Sequence, residues 1–259
     1  MIKHDKNNLV LGRGRVYFEK FNSRYGFVGE GLRYIGNTDL FNITTNRSRV
    51  EDKVSRGGRV ILKGTEVTEE VCTGVMTTDN IDAENITDWF AATDAGVVTG
   101  AGFPAPYQVI AKRGNYYQMG VTPDNPAGRR GYSVITVAKG ATTIPSGGNY
   151  EADFALGLVR ILPTATQIVD GDVLTLSGTT VALAEQILKP TGRAVRGALR
   201  FVSNAMVGVS RDIFIPSVEL RADGDQEFKG DKWQELRFTF AATYRPGHEL
   251  YYVVKRATK

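Results

Sequence analysis

The 259 residues carry 32 Lys and Arg against 28 Asp and Glu, a net charge of +4 with both signs interspersed, so the surface reads as solvated rather than as a nucleic-acid footprint. No apolar run of about 18 residues exists, so no spanning helix is expected, and the polar start lacks the apolar stretch of a secretory signal. A single cysteine, Cys72, excludes an internal disulfide framework, and 29 glycines with little helical periodicity point to a β-dominated fold rich in turns.

Arg13 to Lys20 predicts a short strand, with Val16 and Phe18 on one face and Arg15 and Tyr17 on the other. A loop with Gly26, Gly29 and Gly31 follows. Phe41 to Thr45 opens a second strand that continues in polar form through Arg47 and Arg49. Gly57-Gly58 breaks it, and Val60 to Met76 returns along it, so a long hairpin is expected over about 41–78. Its tip is charged, through Arg47, Arg49, Glu51, Asp52, Lys53, Arg56 and Arg59.

From Thr65 to Thr78 the returning arm alternates. Val67, Val71 and Val75 make one largely apolar face; Glu66, Thr68 and Glu70 begin the other, which turns to Cys72 and Met76. These fourteen residues would reach about 46 Å at about 3.3 Å each, against a usual strand of about 5–6 residues. Such a strand suits an assembly that joins strands across subunits better than one compact domain.

One helix is expected over about 82–92. Asp82 is a good N-cap, Glu84 lies in the first turn, and Ile81 and Ile86 sit at staple spacing. Ile86, Trp89 and Phe90 share a face, so Trp89 should be buried over a sheet.

Beyond Val97 the strands become short: Tyr107–Ala111, Tyr116–Val121, Val134–Val137, Tyr150–Phe154, Leu158–Leu162 and Val173–Leu176. Arg113-Gly114-Asn115 reads as the turn of a hairpin between the first two. This region, 97–189, predicts an inserted small β-sandwich, with Gln186 to Gly192 as the linker back. Ala198–Val202, Ile213–Leu220, the Asp223-Gly224 turn and a long strand Trp233–Tyr244 complete the main domain, 1–96 and 190–259.

The signatures of chemistry fail on inspection. Lys63-Gly64-Thr65 inverts the order a phosphate-cradling loop needs, and Gly12-Arg13-Gly14 lacks the third glycine and strand-to-helix setting of a dinucleotide site. Asp223-Gly224-Asp225 lacks the spaced oxygens and closing glutamate of a calcium loop. His4 and His248 are the only histidines, Cys72 lies mid-strand, and no carboxylate pair stands out as general acid and base. No catalytic residue, cofactor or metal is expected, and the chain is read as a non-enzyme.

In their order, several segments resemble phage major tail tube proteins of the long, non-contractile type. They are Arg33 to Thr38 with Phe41 to Thr45, Thr77 to Asn85, Tyr150 to Gly157, and a closing block of Gly197–Phe201, Ile215-Pro216, Asp223-Gly224 and Lys229 to Gln234. The resemblance covers most of the chain and its motifs are structural. It implies two packed antiparallel sheets with one helix, a sandwich or barrel-like fold whose strands line a tube. Six copies close a ring, and rings stack into the conduit for genome ejection. The implied partners are further copies of the chain and the tape measure, terminator and distal tail proteins. Double-stranded DNA passes without specific binding, and no membrane is involved. The implied location is the virion tail, reached through the host cytoplasm during assembly.

On that reading Glu66, Thr68 and Glu70 face the lumen, while the valine row packs on the subunit's second sheet and helix. The charged tip from Arg47 to Arg59, with the two termini, makes contacts between subunits and rings, and the inserted region sits on the exterior. The competing readings are another tail component of the same fold (terminator, distal ring or contractile-tail inner tube), a non-viral β-sandwich binding module, and a basic nucleic-acid-binding protein.

Overall fold

Alternation at the start of the chain does what its pattern dictates: in β1 (Gly14–Lys20), Val16 and Phe18 are buried between more exposed neighbours. The computed structural model describes residues 10–22, 26–98, 102, 105–205 and 208–255. The chain folds as two compact units, one of residues up to Thr93 and from Leu188 onward, the other Asp94–Ile187. The sequence predicts the divisions at 96/97 and 189/190. Strands make up 54% of the structure and helix 3%, so the fold is mainly β, with antiparallel sheets, a single helix and no closed barrel among the described residues. No helix among them is long and apolar enough to cross a membrane.

The main unit adds β2 (Arg33–Tyr34), β3 (Thr38–Arg56), β4 (Arg59–Thr78) and α1 (Ala83–Trp89). After β5 (Ala92–Val98) the chain enters the second unit, made of β6 (Tyr107–Ile110), β7 (Tyr116–Gln118), β8 (Tyr132–Lys139), β9 (Thr142–Ile144), β10 (Tyr150–Asp153), β11 (Leu158–Ile161) and β12 (Val173–Thr180). It returns through β13 (Glu185–Pro190) to β14 (Val195–Ser203), β15 (Arg211–Ala222), β16 (Leu236–Ala242) and β17 (Tyr252–Lys255).

The main unit is an eight-stranded sheet in the order β2-β1-β14-β15-β16-β4-β3, with β17 added to β15. Opposite its edge on β14, β15 serves two further neighbours: Arg211–Phe214 pair with β17 and Val218–Ala222 with β16. Between these halves the β14–β15 register slips at Gly197/Leu199, and such irregularities let a strand bend from one layer to another. The sheet curls accordingly. Phe41 of β3 stacks on Phe201 of β14, ring centres 5.3 Å apart, with three strands between them in the sheet order. The enclosed core includes Phe18, Met76, Leu199, Ile215, Leu236 and Phe238.

The helix carries the expected cap: Asp82 accepts a hydrogen bond from the Asn85 backbone N–H at 2.7 Å. Its buried residues differ from those the sequence predicts. They are Asn85, Thr87 and Asp88, whereas Trp89 is half-buried and its indole N–H donates to the Arg237 carbonyl. Asp88 receives Lys20 Nζ at 2.6 Å and Arg33 Nη2 at 2.8 Å, so the helix is fastened to β1 and β2 by charge as well as by Ile86 and Trp89.

In the second unit a three-stranded sheet (β10-β11-β7) and a four-stranded sheet (β6-β12-β8-β9) share one core of Val137, Val159, Ile161, Leu174 and Leu176, a small sandwich. The turn at Arg113-Gly114-Asn115 forms, with Gly114 at φ 85°, but it does not close a hairpin. β6 pairs with β12 and β7 with β11, so the turn carries the chain from one sheet to the other. The expected linker at 186–192 is largely a strand, since β13 pairs with β5. The strand expected from Trp233 begins at Leu236, and residues 223–235 form a loop.

Candidate assembly surface: a hairpin arm and an open sheet face

β3 and β4 pair continuously from Thr38/Thr78 to Arg56/Arg59 around Gly57 and Gly58. Both glycines take positive φ, 59° and 76°, the left-handed backbone that a two-residue hairpin turn of the favoured twist requires. Only the base of this hairpin lies on the core. Residues 44–71 are exposed throughout, on both faces, as an arm about 40 Å long at about 3.3 Å per residue.

The pairing slips three times, once at the base between Thr38 and Leu40 and twice on the arm, and the two slips on the arm decide which way its side chains point. Ser48 pairs with Glu69 but Arg49 with Val67, which makes Thr68 an extra residue; Asp52 pairs with Gly64 but Lys53 with Leu62, which makes Lys63 another. Directly opposed residues share a face, so each slip exchanges the faces of β4. Glu70 therefore lies on the side of Cys72 and Met76, Glu66 lies on the other, and Thr68 sits in the bulge. The expected row Glu66–Thr68–Glu70 does not exist as one face.

The valine row is corrected with it. In the base of β4 the buried residues are Cys72, Gly74, Met76, Thr77 and Thr78, while Val71 is exposed and Val75 half-buried on the side opposite Cys72. Burial of the Cys72 thiol, with the Glu70 charge adding to it, raises its pKa.

The seven charged tip residues divide between faces by the same register. Arg47, Arg49, Glu51 and Lys53 share the side of Cys72, with Leu62 and Val67, and Asp52, Arg56 and Arg59 share the other, with Val50, Val54 and Ile61. Arg47 pairs directly across with Glu70 at 2.9 Å, and that carboxylate raises the guanidinium pKa. Lys53 pairs with Glu51 at 2.7 Å and Lys63 with Asp52 at 2.9 Å. Arg49, Arg56 and Arg59 make no ion pair among the described residues. Seven large apolar side chains (Val50, Val54, Val60, Ile61, Leu62, Val67 and Val71) stand exposed along the arm. Charge dominates the sequence there, and the apolar residues became legible as a surface only once both faces proved bare. The termini expected to assist, 1–9 and 256–259, lie outside the described residues.

Behind the arm, β15, β16, β4 and β3 present an open face opposite the core. Asn42, Thr44, Thr73, Val75, Thr239 and Ala241 line a shallow depression of about 410 Å³ there. Its charged neighbours are internally compensated: Arg221 pairs with Glu219, and Arg237 with Asp223 at 2.7 Å. No group of three or more His, Cys, Asp or Glu among the described residues is placed to hold a metal ion.

These features define a mainly antiparallel β protein of two units that carries a long, bare β-arm beside a polar, charge-compensated sheet face. The chain belongs to the family described as "Protein of unknown function UCP028589", which it matches over residues 9–184. That span takes in the whole arm and ends before β13, so β13–β17 lie outside it. No curated protein matches the chain.

Proposed function

We propose that this chain is the repeating subunit of a phage tail tube, six copies to a ring and rings stacked into a conduit for double-stranded DNA, acting without chemistry. The observation that carries the proposal is the arm. A two-stranded ribbon with no third strand and no core is marginally stable alone in water. Here one is held out over residues 44–71 with seven large apolar side chains exposed. Full burial of such a side chain contributes about 1.5–3 kcal/mol, so burying their exposed halves against neighbouring subunits supplies roughly 5–10 kcal/mol. Pairing with neighbouring strands satisfies the arm's edges at the same time.

The open face supports the second half of the reading. A channel wall for DNA must not hold phosphate, because every Lys or Arg that neutralises one adds affinity. Asn, Thr, Val and Ala with paired charges meet that requirement. The lumen is therefore assigned to the open face of β15, β16, β4 and β3 at the base of the arm, and not to a row of Glu66, Thr68 and Glu70. The tape measure, terminator and distal tail proteins remain the partners of such a subunit, and the virion tail its place. Negative-stain microscopy of the purified chain tests this: tubes or stacked rings with a central hole are expected. Discrete single particles at every concentration would overturn the proposal.

A further inference from the structure

One exposed surface is left unused by this reading. Residues 223–235, between β15 and β16, form a loop around a groove of about 800 Å³ that includes Asp225, Glu227, Phe228, Asp231, Trp233 and Glu235. Trp233 is 94% exposed and Phe228 74%, the most exposed Trp and Phe described. Two large aromatic side chains left in water on one groove, rimmed by polar residues, form the kind of patch that suits a protein interface. The loop itself is held: the Asp223 N–H donates to the Arg237 carbonyl at 2.9 Å, Gln234 Nε2 donates to the Glu227 carbonyl at 2.9 Å, and Phe228 stacks with Phe90. The loop carries five acids (Asp223, Asp225, Glu227, Asp231, Glu235) against Lys229 and Lys232. Asp223 is engaged by Arg237, and the other four make no ion pair among the described residues.

The arm tip has the opposite character. From Lys53 to Lys63 there are four basic residues, no acid, and exposed Val54, Val60, Ile61 and Leu62. Lys53 and Lys63 are tied to Glu51 and Asp52 behind the tip, which leaves Arg56 and Arg59 to present unpaired charge at the very end. Arginine is suited to such a groove, since it forks onto carboxylates and lies flat on aromatic rings. The tip cannot reach the groove of its own chain. The groove opens beside Thr77, and from there to Arg59 the extended strand covers eighteen residue steps, about 59 Å at about 3.3 Å each.

We infer that the arm tip of one subunit docks in the 223–235 groove of another, with Arg56 and Arg59 meeting Asp225, Glu227, Asp231 and Glu235 and the guanidinium planes lying over Trp233. The partner is a second copy of this chain. Because tip and groove are different surfaces, one subunit can offer its tip to one neighbour and its groove to another, and the contact then propagates head-to-tail, as a ring or a stack requires. The inference deepens the tube reading and rests on it for the identity of the assembly, but not for the contact.

Two measurements on the full chain separate the two ideas. In the first, R56E/R59E and E227K/D231K each lose the pelletable polymer that the wild type forms, and the four changes combined in one chain restore it. Polymer unaffected by either pair, or no restoration in the combination, overturns the docking. In the second, a chain with Ser55→Cys is mixed under mild oxidation with one carrying Lys232→Cys; the native Cys72 is buried and serves as an internal blank. The expected result is an intermolecular disulfide in excess over a control with Thr142→Cys in the second unit. Wild-type polymer with no excess over control overturns the docking and leaves the tube reading standing. A specific cross-link from a chain that never polymerises keeps the contact and overturns the tube.

Discussion

Asp88→Asn is the sharpest test of how the helix is fastened. The Asp88 side chain is 4% exposed and accepts from Lys20 Nζ at 2.6 Å and Arg33 Nη2 at 2.8 Å. The amide keeps the shape but removes the negative charge and turns a donor toward one of two cations. A hydrogen bond to a charged group is worth about 1.5–3 kcal/mol, and a buried acceptor cannot be replaced by water. Lys20 is 45% exposed and relaxes into solvent, so its share is small. Arg33 is more enclosed and retains Asn85 Oδ1 at 2.6 Å and Glu84 at 2.7 Å. The net cost is about 2–3 kcal/mol, which lowers the melting temperature of a unit this size by about 5–10 °C. Thermal unfolding of the main unit, followed by circular dichroism, reads it directly. Glu84→Gln removes the solvent-exposed partner of the same arginine and should cost under about 1 kcal/mol. If the two variants melt together, or Asp88→Asn costs less than about 1 kcal/mol, the buried network does not hold the helix.

Further outcomes follow from single contacts. Gly58→Val forces a branched side chain into the left-handed backbone at φ 76°, costs about 1–2 kcal/mol, and should speed amide exchange along the arm, while Gly57→Asn leaves it unchanged. Cys72, buried and with its thiol pKa raised, should react with thiol reagents only at the rate of unfolding; because the unfolded thiol ionises first, stability falls as pH climbs above the ordinary value of 9.0. The Lys139 ammonium and the Val169 N–H hold the Asp172 carboxyl below its ordinary 3.8, so its contribution is full above that pH and lost as pH falls through the lowered value. Acid titration of the second unit's unfolding should show that loss in the wild type and none in Asp172→Asn.

Where local chemistry decided the outcome, the sequence was legible. Gly57-Gly58 between two alternating arms specifies the hairpin, and Asp82 before an amphipathic turn specifies the helix start. Where the outcome depends on partners far along the chain, it was not. Asn85 and Asp88 are buried because Lys20 and Arg33 arrive from strands 50 to 70 residues away, and neither helix position looks internal by itself. The bulges at Thr68 and Lys63 exchange the faces of β4, and a ribbon exposed on both sides, with charged and apolar residues on each, carries no pattern that would fix its register. The Gly114 turn is correct chemistry in the wrong role, because β6 and β7 find better partners in β12 and β11. Trp233 shows the reverse error: a large aromatic was read into a strand and stands in water instead.

The central claim is that the bare arm is completed by other copies of the chain. Sedimentation velocity of the full chain beside a variant in which Val50 to Arg59 is replaced by a short Gly-Ser turn tests it most directly. The wild type should sediment as large polymer, and the variant as a folded species of one chain with the melting transition of the body retained. Polymer of the same size from the shortened arm would contradict the account.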